Sequence, residues 1–192
     1  MMKDIVFATN NPHKLKEARE LYQDSFNVLS LDDIGCHDDI PETADTLEGN
    51  ALIKAQWVAD KYGLDCFADD TGLLVDALNG EPGVYSARYA GPHCSPADNM
   101  VLLLKKLDGV KNRNATFATV VALISGGQQH LFRGEVTGEI ASSPRGTNGF
   151  GYDPVFIVEN SGLTFAEMDA ETKNNVSHRG RAMKKLMDFL SR

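Results

Sequence analysis

Phe67-Ala68-Asp69-Asp70-Thr71-Gly72-Leu73 breaks an apolar run with two adjacent carboxylates, a hydroxyl and a glycine. The approach from Leu64 to Ala68 is apolar apart from Asp65, and apolar character returns in Leu73-Leu74-Val75. That pattern predicts a strand, a tight turn at Gly72 and a second strand. Neighbouring side chains on an extended backbone point to opposite faces, so Asp69 and Asp70 are expected to part company: one toward a cleft, the other toward an inner support. A buried carboxylate is costly unless it is paired, hydrogen-bonded or bound to a cation. Two readings stay open on this stretch alone, a seat for a divalent metal and an Asp-rich turn beside a core strand.

Upstream, Asp4-Ile5-Val6-Phe7-Ala8-Thr9 reads as a buried first strand ending at Asn10-Asn11-Pro12. Asn can cap a helix and Pro suits its first turn, so a helix is predicted from Lys14 to Leu21, with Leu15, Ala18 and Leu21 on one face. A strand running into a helix N-terminus gathers backbone N–H groups and the positive dipole end, and Thr9, Asn10, Asn11 and Lys14 add donors. This is either a phosphate cradle without the usual glycines or a capped helix with a solvated lysine. A second short strand is expected at Asn27 to Leu31, then an acidic loop from Asp32 to Pro41. Asp45 or Thr46 can cap the long helix that follows, whose Leu47, Ala51, Ala55, Val58, Ala59 and Tyr62 recur at helical spacing; Gly63 ends it. Lys54, at the edge of that face, reads as a snorkelling lysine, and Trp57 as a packing residue.

Downstream, Asn79-Gly80-Glu81-Pro82-Gly83 is a turn signal, and Ser95-Pro96 opens a helix carrying Met100, Leu103, Leu104 and Leu107. Ala115 to Ile124 and Leu131 to Ile140 read as strands of a hairpin turning through Ser125 to Gln129, with His130 at the surface. Gly149-Phe150-Gly151 lets backbone approach a ligand, and an exposed Phe150 could stack on a base; equally it could pack into its own domain. Val155 to Val158 forms a further strand. A terminal helix capped by Ser177 places His178 and Arg179 in its first turn, where the dipole disfavours cations, and carries Met183, Leu186, Met187 and Leu190.

The 192 residues suffice for one domain with a sizeable core, spanning 1–192. A formal charge of −8 argues against a general nucleic-acid or membrane-surface binder, while leaving room for a small anion held by local cations. Met1-Met2-Lys3-Asp4 leads into a run too short for a cleavable signal, and no run reaches the length of a membrane span, so a cytoplasmic protein is expected. Three cysteines, Cys36, Cys66 and Cys94, argue against a disulfide framework, and Cys36-His37 with His93-Cys94 are poorly spaced for tetrahedral zinc.

Taken together, Thr9-Asn10-Asn11-Pro12-His13-Lys14, Glu42-Thr43 with Glu48 to Ala55, Phe67 to Leu73, Pro82 to Arg88, Gly149 to Pro154 and Ser177-His178-Arg179 resemble one family. It is the non-standard purine nucleoside triphosphate pyrophosphatases that act on inosine and xanthosine triphosphates. The matches span nearly the whole chain in the family's order. Leu47-Glu48-Gly49-Asn50 departs from the pattern, which often has an aromatic and no glycine before Asn-Ala.

The resemblance implies an α/β fold, an elongated mixed β-sheet with flanking helices and two lobes about a central active-site cleft. It further implies a Mg²⁺-dependent hydrolase converting ITP, dITP and XTP to the monophosphate and pyrophosphate, as a homodimer. By position, Asp70 matches the general base and a metal ligand, Glu42 the other acidic metal contact, and Asp69 a neighbouring carboxylate. Thr9, Asn10, Asn11, Pro12, His13, Lys14, Lys54, Thr71 and Lys173 match contacts to phosphate or ribose, those of Pro12 and His13 through backbone. Phe150, Gly151, Tyr152, Asp153, His178 and Arg179 match the base-recognition end. Two rivals carry over, a nucleotide sensor without turnover and a Mg²⁺-dependent phosphomonoesterase; the Asp-x-Asp order of aspartyl-phosphate phosphatases is absent from Asp69-Asp70-Thr71.

Overall fold

A computed structural model describes residues 3–192, so Met1 and Met2, where the reading of the N-terminus begins, lie outside it. The strands are β1 (Lys3–Phe7), β2 (Phe26–Leu29), β3 (Cys66–Val75), β4 (Pro82–Gly83), β5 (Asn114–Ser125), β6 (Gln128–Ile140) and β7 (Phe156–Val158). The helices are α1 (Pro12–Tyr22), α2 (Leu47–Tyr62), α3 (Pro96–Lys106), α4 (Ala170–Val176) and α5 (His178–Leu190). Among the described residues the strands form one mixed sheet in the order β2-β1-β3-β5-β6-β7, with β4 on β3. β1 is parallel to both β2 and β3, whereas β3–β4 and β6–β7 are antiparallel.

The chain divides into two compact units, and the division falls inside β3, between Asp70 and Thr71. Among the described residues the first unit holds 3–70, 119–134 and 179–192; the second holds 71–118 and 135–178. In the first, Phe7 and Phe67 stack at 4.5 Å and Tyr22 meets Phe67 edge-on at 6.1 Å. Tyr22 Oη donates to the Met183 carbonyl at 2.6 Å, tying α1 to α5 inside an apolar cluster that includes Ile5, Ala18, Val121, Leu123 and Leu186. The second unit has its own core, built on Phe117, Phe156, Phe165, Leu73, Leu103 and Leu107. Arg113 binds that core's periphery to itself, donating to the carbonyls of Ile140, Leu107 and Ala141 at 2.6, 2.9 and 2.8 Å.

The helix starts follow their local chemistry. Asn11 caps α1 with Pro at its start, Thr46 caps α2 through the Gly49 N–H, and Ser95 with Asp98 forms a capping box on α3. Gly126 and Gly127, both at positive φ, close the β5–β6 hairpin in two residues, a tighter turn than the five-residue one expected. Three expectations need correction. Gly72 makes no turn: β3 runs unbroken through it, and Leu73 N–H is met by Ser86 Oγ at 2.9 Å. A glycine flanked by strand formers on both sides is read as a break, yet the missing Cβ does not oblige one. Trp57, expected simply to pack, is 38% exposed and its Nε1 donates to Asp38. Lys54 does not snorkel to water; it is held by polar partners described below. Among the described residues, no helix is long and apolar enough to cross a membrane.

Candidate active site

Asp69 and Asp70 do part company. Asp69 is buried, and its Oδ1 and Oδ2 accept from Lys14 Nζ at 3.0 Å and Arg179 Nε at 3.1 Å. Arg179 Nη1 in turn donates to Glu17 at 2.6 Å, so α1 and the first turn of α5 are linked both directly through Glu17 and, by way of Lys14, through Asp69. Burial alone would raise the Asp69 carboxyl; the charges of Lys14, Arg179 and Lys54 outweigh it and hold the group well below the usual carboxylate range. The Lys14 ammonium is lowered as well, because burial depresses it against the pull of Asp69. The inner-support role thus falls to Asp69.

Asp70 faces different company. Its Oδ2 accepts from Asn50 Nδ2 at 3.2 Å, and its Oδ1 stands 3.9 Å from Lys54 Nζ. The same ammonium donates to Glu42 Oε1 at 2.5 Å and to the Asp69 carbonyl at 2.6 Å. Two carboxylates, Glu42 and Asp70, therefore converge on one cation. Burial raises the Asp70 carboxyl above the usual range, Glu42 adds to the rise, and Lys54 and Lys14 oppose it. Burial would lower Lys54, but Asp69, Glu42 and Asp70 together raise it.

At the start of α1, Asn11 Oδ1 accepts from the N–H groups of His13 and Lys14 at 2.9 and 3.2 Å, and Asn11 N–H donates to Thr9 Oγ1 at 3.1 Å. The capped-helix reading holds here, but its solvated lysine does not: Lys14 is turned in on Asp69. Asn10, Pro12 and His13 are exposed beside it.

The remaining candidates lie in the second unit. Lys173 Nζ, buried, donates to Asp153 Oδ2 at 2.7 Å and sits 4.8 Å from the Phe150 ring centroid. Asp153 Oδ2 also accepts from the Phe150 N–H at 2.8 Å. A Cβ on Gly149 would stand 2.1 Å from that same oxygen, so glycine is what lets the loop close on Asp153. Tyr152 is buried and its Oη donates to the Ser86 carbonyl at 2.7 Å, which makes it a strut of this loop. His178 stacks flat on Phe117 at 4.5 Å with an interplanar angle of 7°. Thr71 opens the second unit's share of β3, and Gly151 follows Phe150 at positive φ.

With this arrangement in view, comparison with known proteins is decisive. The sequence profile of the Ham1 family matches residues 5–189. The chain belongs to the Ham1 family. A relative from Flavobacterium johnsoniae, dITP/XTP pyrophosphatase, is 56% identical over 187 residues and 97% of each chain. One from Porphyromonas gingivalis with the same name is 55% identical over 190 residues and 98% of each chain. The structure of a HAM1 protein from Coxiella burnetii superposes with a TM-score of 0.90 at 40% identity, covering 99% of each chain.

In this Ham1 chain, Glu42 and Asp70 suit a divalent cation. They are two oxygen donors gathered on the Lys54 ammonium, and burial, with Glu42 adding to it, raises the Asp70 carboxyl. Among the described residues no group of three or more His, Cys, Asp or Glu side chains is placed to hold a metal ion. Glu17 and Asn50 escaped the sequence reading as site residues. Glu17 sits among ordinary helix charges, and its partner Arg179 is 162 residues away. Asn50 carried a signal, a polar residue one position before the apolar-face Ala51 at the start of α2, where a solvent-facing side chain would have cost nothing.

Proposed function

We propose that this chain hydrolyses the non-standard purine nucleoside triphosphates ITP, dITP and XTP to the monophosphate and pyrophosphate with Mg²⁺, clearing them from the nucleotide pool. The names of its 55–56% identical relatives support the reaction and substrate class. The observation that carries the mechanism is the division of labour within Asp69-Asp70: one carboxylate neutralised by two cations, its neighbour held above the usual range beside Glu42.

Glu42 and Asp70 would hold Mg²⁺, which when bound polarises phosphate oxygens and offsets their charge. Asp70 orients a water and takes its proton as the water attacks in line with the α–β phosphoanhydride bond, the raised carboxyl making it a better base than an ordinary aspartate. Lys54 supplies positive charge at that seat, and Lys14 and Lys173 are assigned to phosphate or ribose, as is the polar turn from Thr9 to His13. Phosphoryl transfer asks for little beyond such placement and charge. Phe150 to Asp153 and His178 with Arg179 are assigned to the base. A donor facing C6 matches the carbonyl of hypoxanthine or xanthine and opposes the amino group of adenine, and a buried polar group left so mismatched is costly. We assign the chain to the cytoplasm on the sequence reading given above, and to a homodimer on the family resemblance.

The test compares Asp70→Asn with wild type. Asp70→Asn is expected to bind ITP within a few-fold of wild type by calorimetry while turnover falls by about 10²–10⁴-fold, the usual contribution of a general base. Turnover near the wild-type rate would remove Asp70 from the chemistry.

A further inference from the structure

Asn50 lies in the first turn of α2 and is buried, 1% exposed. Both ends of its amide are used. Nδ2 donates to Asp70 Oδ2 at 3.2 Å, and Oδ1 accepts from the Ala44 N–H at 2.9 Å. The backbone donor fixes the amide's orientation, because a flipped amide would set an N–H against the Ala44 N–H and a carbonyl against the carboxylate. Occupying Oδ2 leaves Asp70 Oδ1 as the oxygen on the Lys54 side, where Glu42 Oε1 also points. Ala44 is two residues from Glu42, in a stretch without helix or strand.

One planar side chain thereby sets both members of the acidic pair: it clamps Asp70 by one oxygen and ties down the segment that carries Glu42. We infer that Asn50 is a positioning residue that fixes the spacing of Glu42 and Asp70 and so preforms the seat for a divalent cation. This rests on the reading of those two carboxylates given above. A partner that orients a metal-ligating carboxylate usually changes metal affinity or activity by about 10–100-fold when lost.

Asn99 provides a matched control. It is also buried, 4% exposed, and uses both amide ends, accepting from Ala90 N–H at 2.7 Å and donating to the Ala87 carbonyl at 3.1 Å, with no carboxylate involved. The experiment measures Mn²⁺ affinity of the nucleotide-free chain by electron paramagnetic resonance, alongside kcat and KM for ITP, in wild type, Asn50→Ala and Asn99→Ala. Asn50→Ala is expected to weaken Mn²⁺ binding and lower kcat, each by about tenfold or more, with KM little changed. Asn99→Ala is expected to lower the melting temperature and leave Mn²⁺ affinity and kcat in place. Should Asn50→Ala not fold, Asn50→Ser is read the same way, its hydroxyl being too short to serve both partners.

Wild-type Mn²⁺ affinity in a folded Asn50 variant overturns the inference, and so does an equal loss in Asn99→Ala. A wild-type chain that releases pyrophosphate but binds no Mn²⁺ also overturns it alone, since there is then no preformed seat. A wild-type chain that releases no pyrophosphate overturns the proposed function and this inference with it.

Discussion

Asp69 and Asp70 are chemically the same residue, and strand geometry alone sends them to opposite environments. Asp69 lies between Lys14 and Arg179, so Asp69→Asn leaves the buried Arg179 and the half-buried Lys14 short of a partner. An expected loss of about 3–5 kcal/mol follows, measured by urea unfolding at neutral pH. Because its folded carboxyl is depressed, Asp69 contributes its full stability above the unfolded value near 3.8, and that contribution is lost as pH falls through the depressed one. Wild type should therefore lose stability on acidification below about pH 4 more steeply than Asp69→Asn. Asp70 has the opposite sign. Its raised carboxyl makes the ionised form a burden at neutral pH, so Asp70→Asn should melt higher than wild type there, the gap closing as pH is lowered through the raised value. Arg179 is doubly committed, to Asp69 and Glu17. Arg179→Ala is expected to destabilise the chain and to reduce the ratio of ITP to ATP turnover; an unchanged ratio would remove it from base selection. The split of the two carboxylates was legible in the sequence, because alternation is a property of any strand. Alternation alone did not say which carboxylate faces which way; only the family resemblance singled out Asp70, and the partners of Asp69, Lys14 and Arg179, lie 55 and 110 residues away.

Among the elements, those with local signals were legible: Asn11-Pro12, Thr46 with Gly63, and Ser95-Pro96 mark helix ends by cap chemistry that operates within four residues. What stayed hidden was decided at longer range. The unbroken β3 depends on Ser86 meeting the Leu73 N–H, and α4 is a seven-residue helix too short to leave a periodic pattern. The loop from Gly149 to Asp153 shows where a glycine is required by contact as well as by backbone. Gly149→Ala would bring its Cβ to 2.1 Å from Asp153 Oδ2 at φ +73°, whereas Gly151→Ala at φ +62° meets nothing within 4 Å. Both substitutions carry about 1–2 kcal/mol of left-handed strain. Gly149→Ala should cost distinctly more in urea unfolding and also weaken ITP binding, through the displaced Asp153–Lys173 pair. Equal losses in the two variants would mean that Asp153 gives way freely.

For the molecule as a whole, an acidic chain of formal charge −8 is assigned a polyanionic substrate, which demands that its cations be local and pre-placed. Lys14 and Lys54 meet that demand in the first unit, each half-buried against carboxylates, and Lys173 is buried against Asp153 in the second. Composition and length could bound such a protein but not find those pairings; the ordered succession of short motifs pointed to the family, and the Ham1 match confirms it. The most direct measurement is the product formed from ITP, XTP, dUTP, ATP and GTP with Mg²⁺, resolved by ion-exchange chromatography. The account predicts pyrophosphate and the nucleoside monophosphate from ITP and XTP, in equal amounts and well ahead of ATP. Orthophosphate as the primary product, or ITP bound without any product, would contradict it.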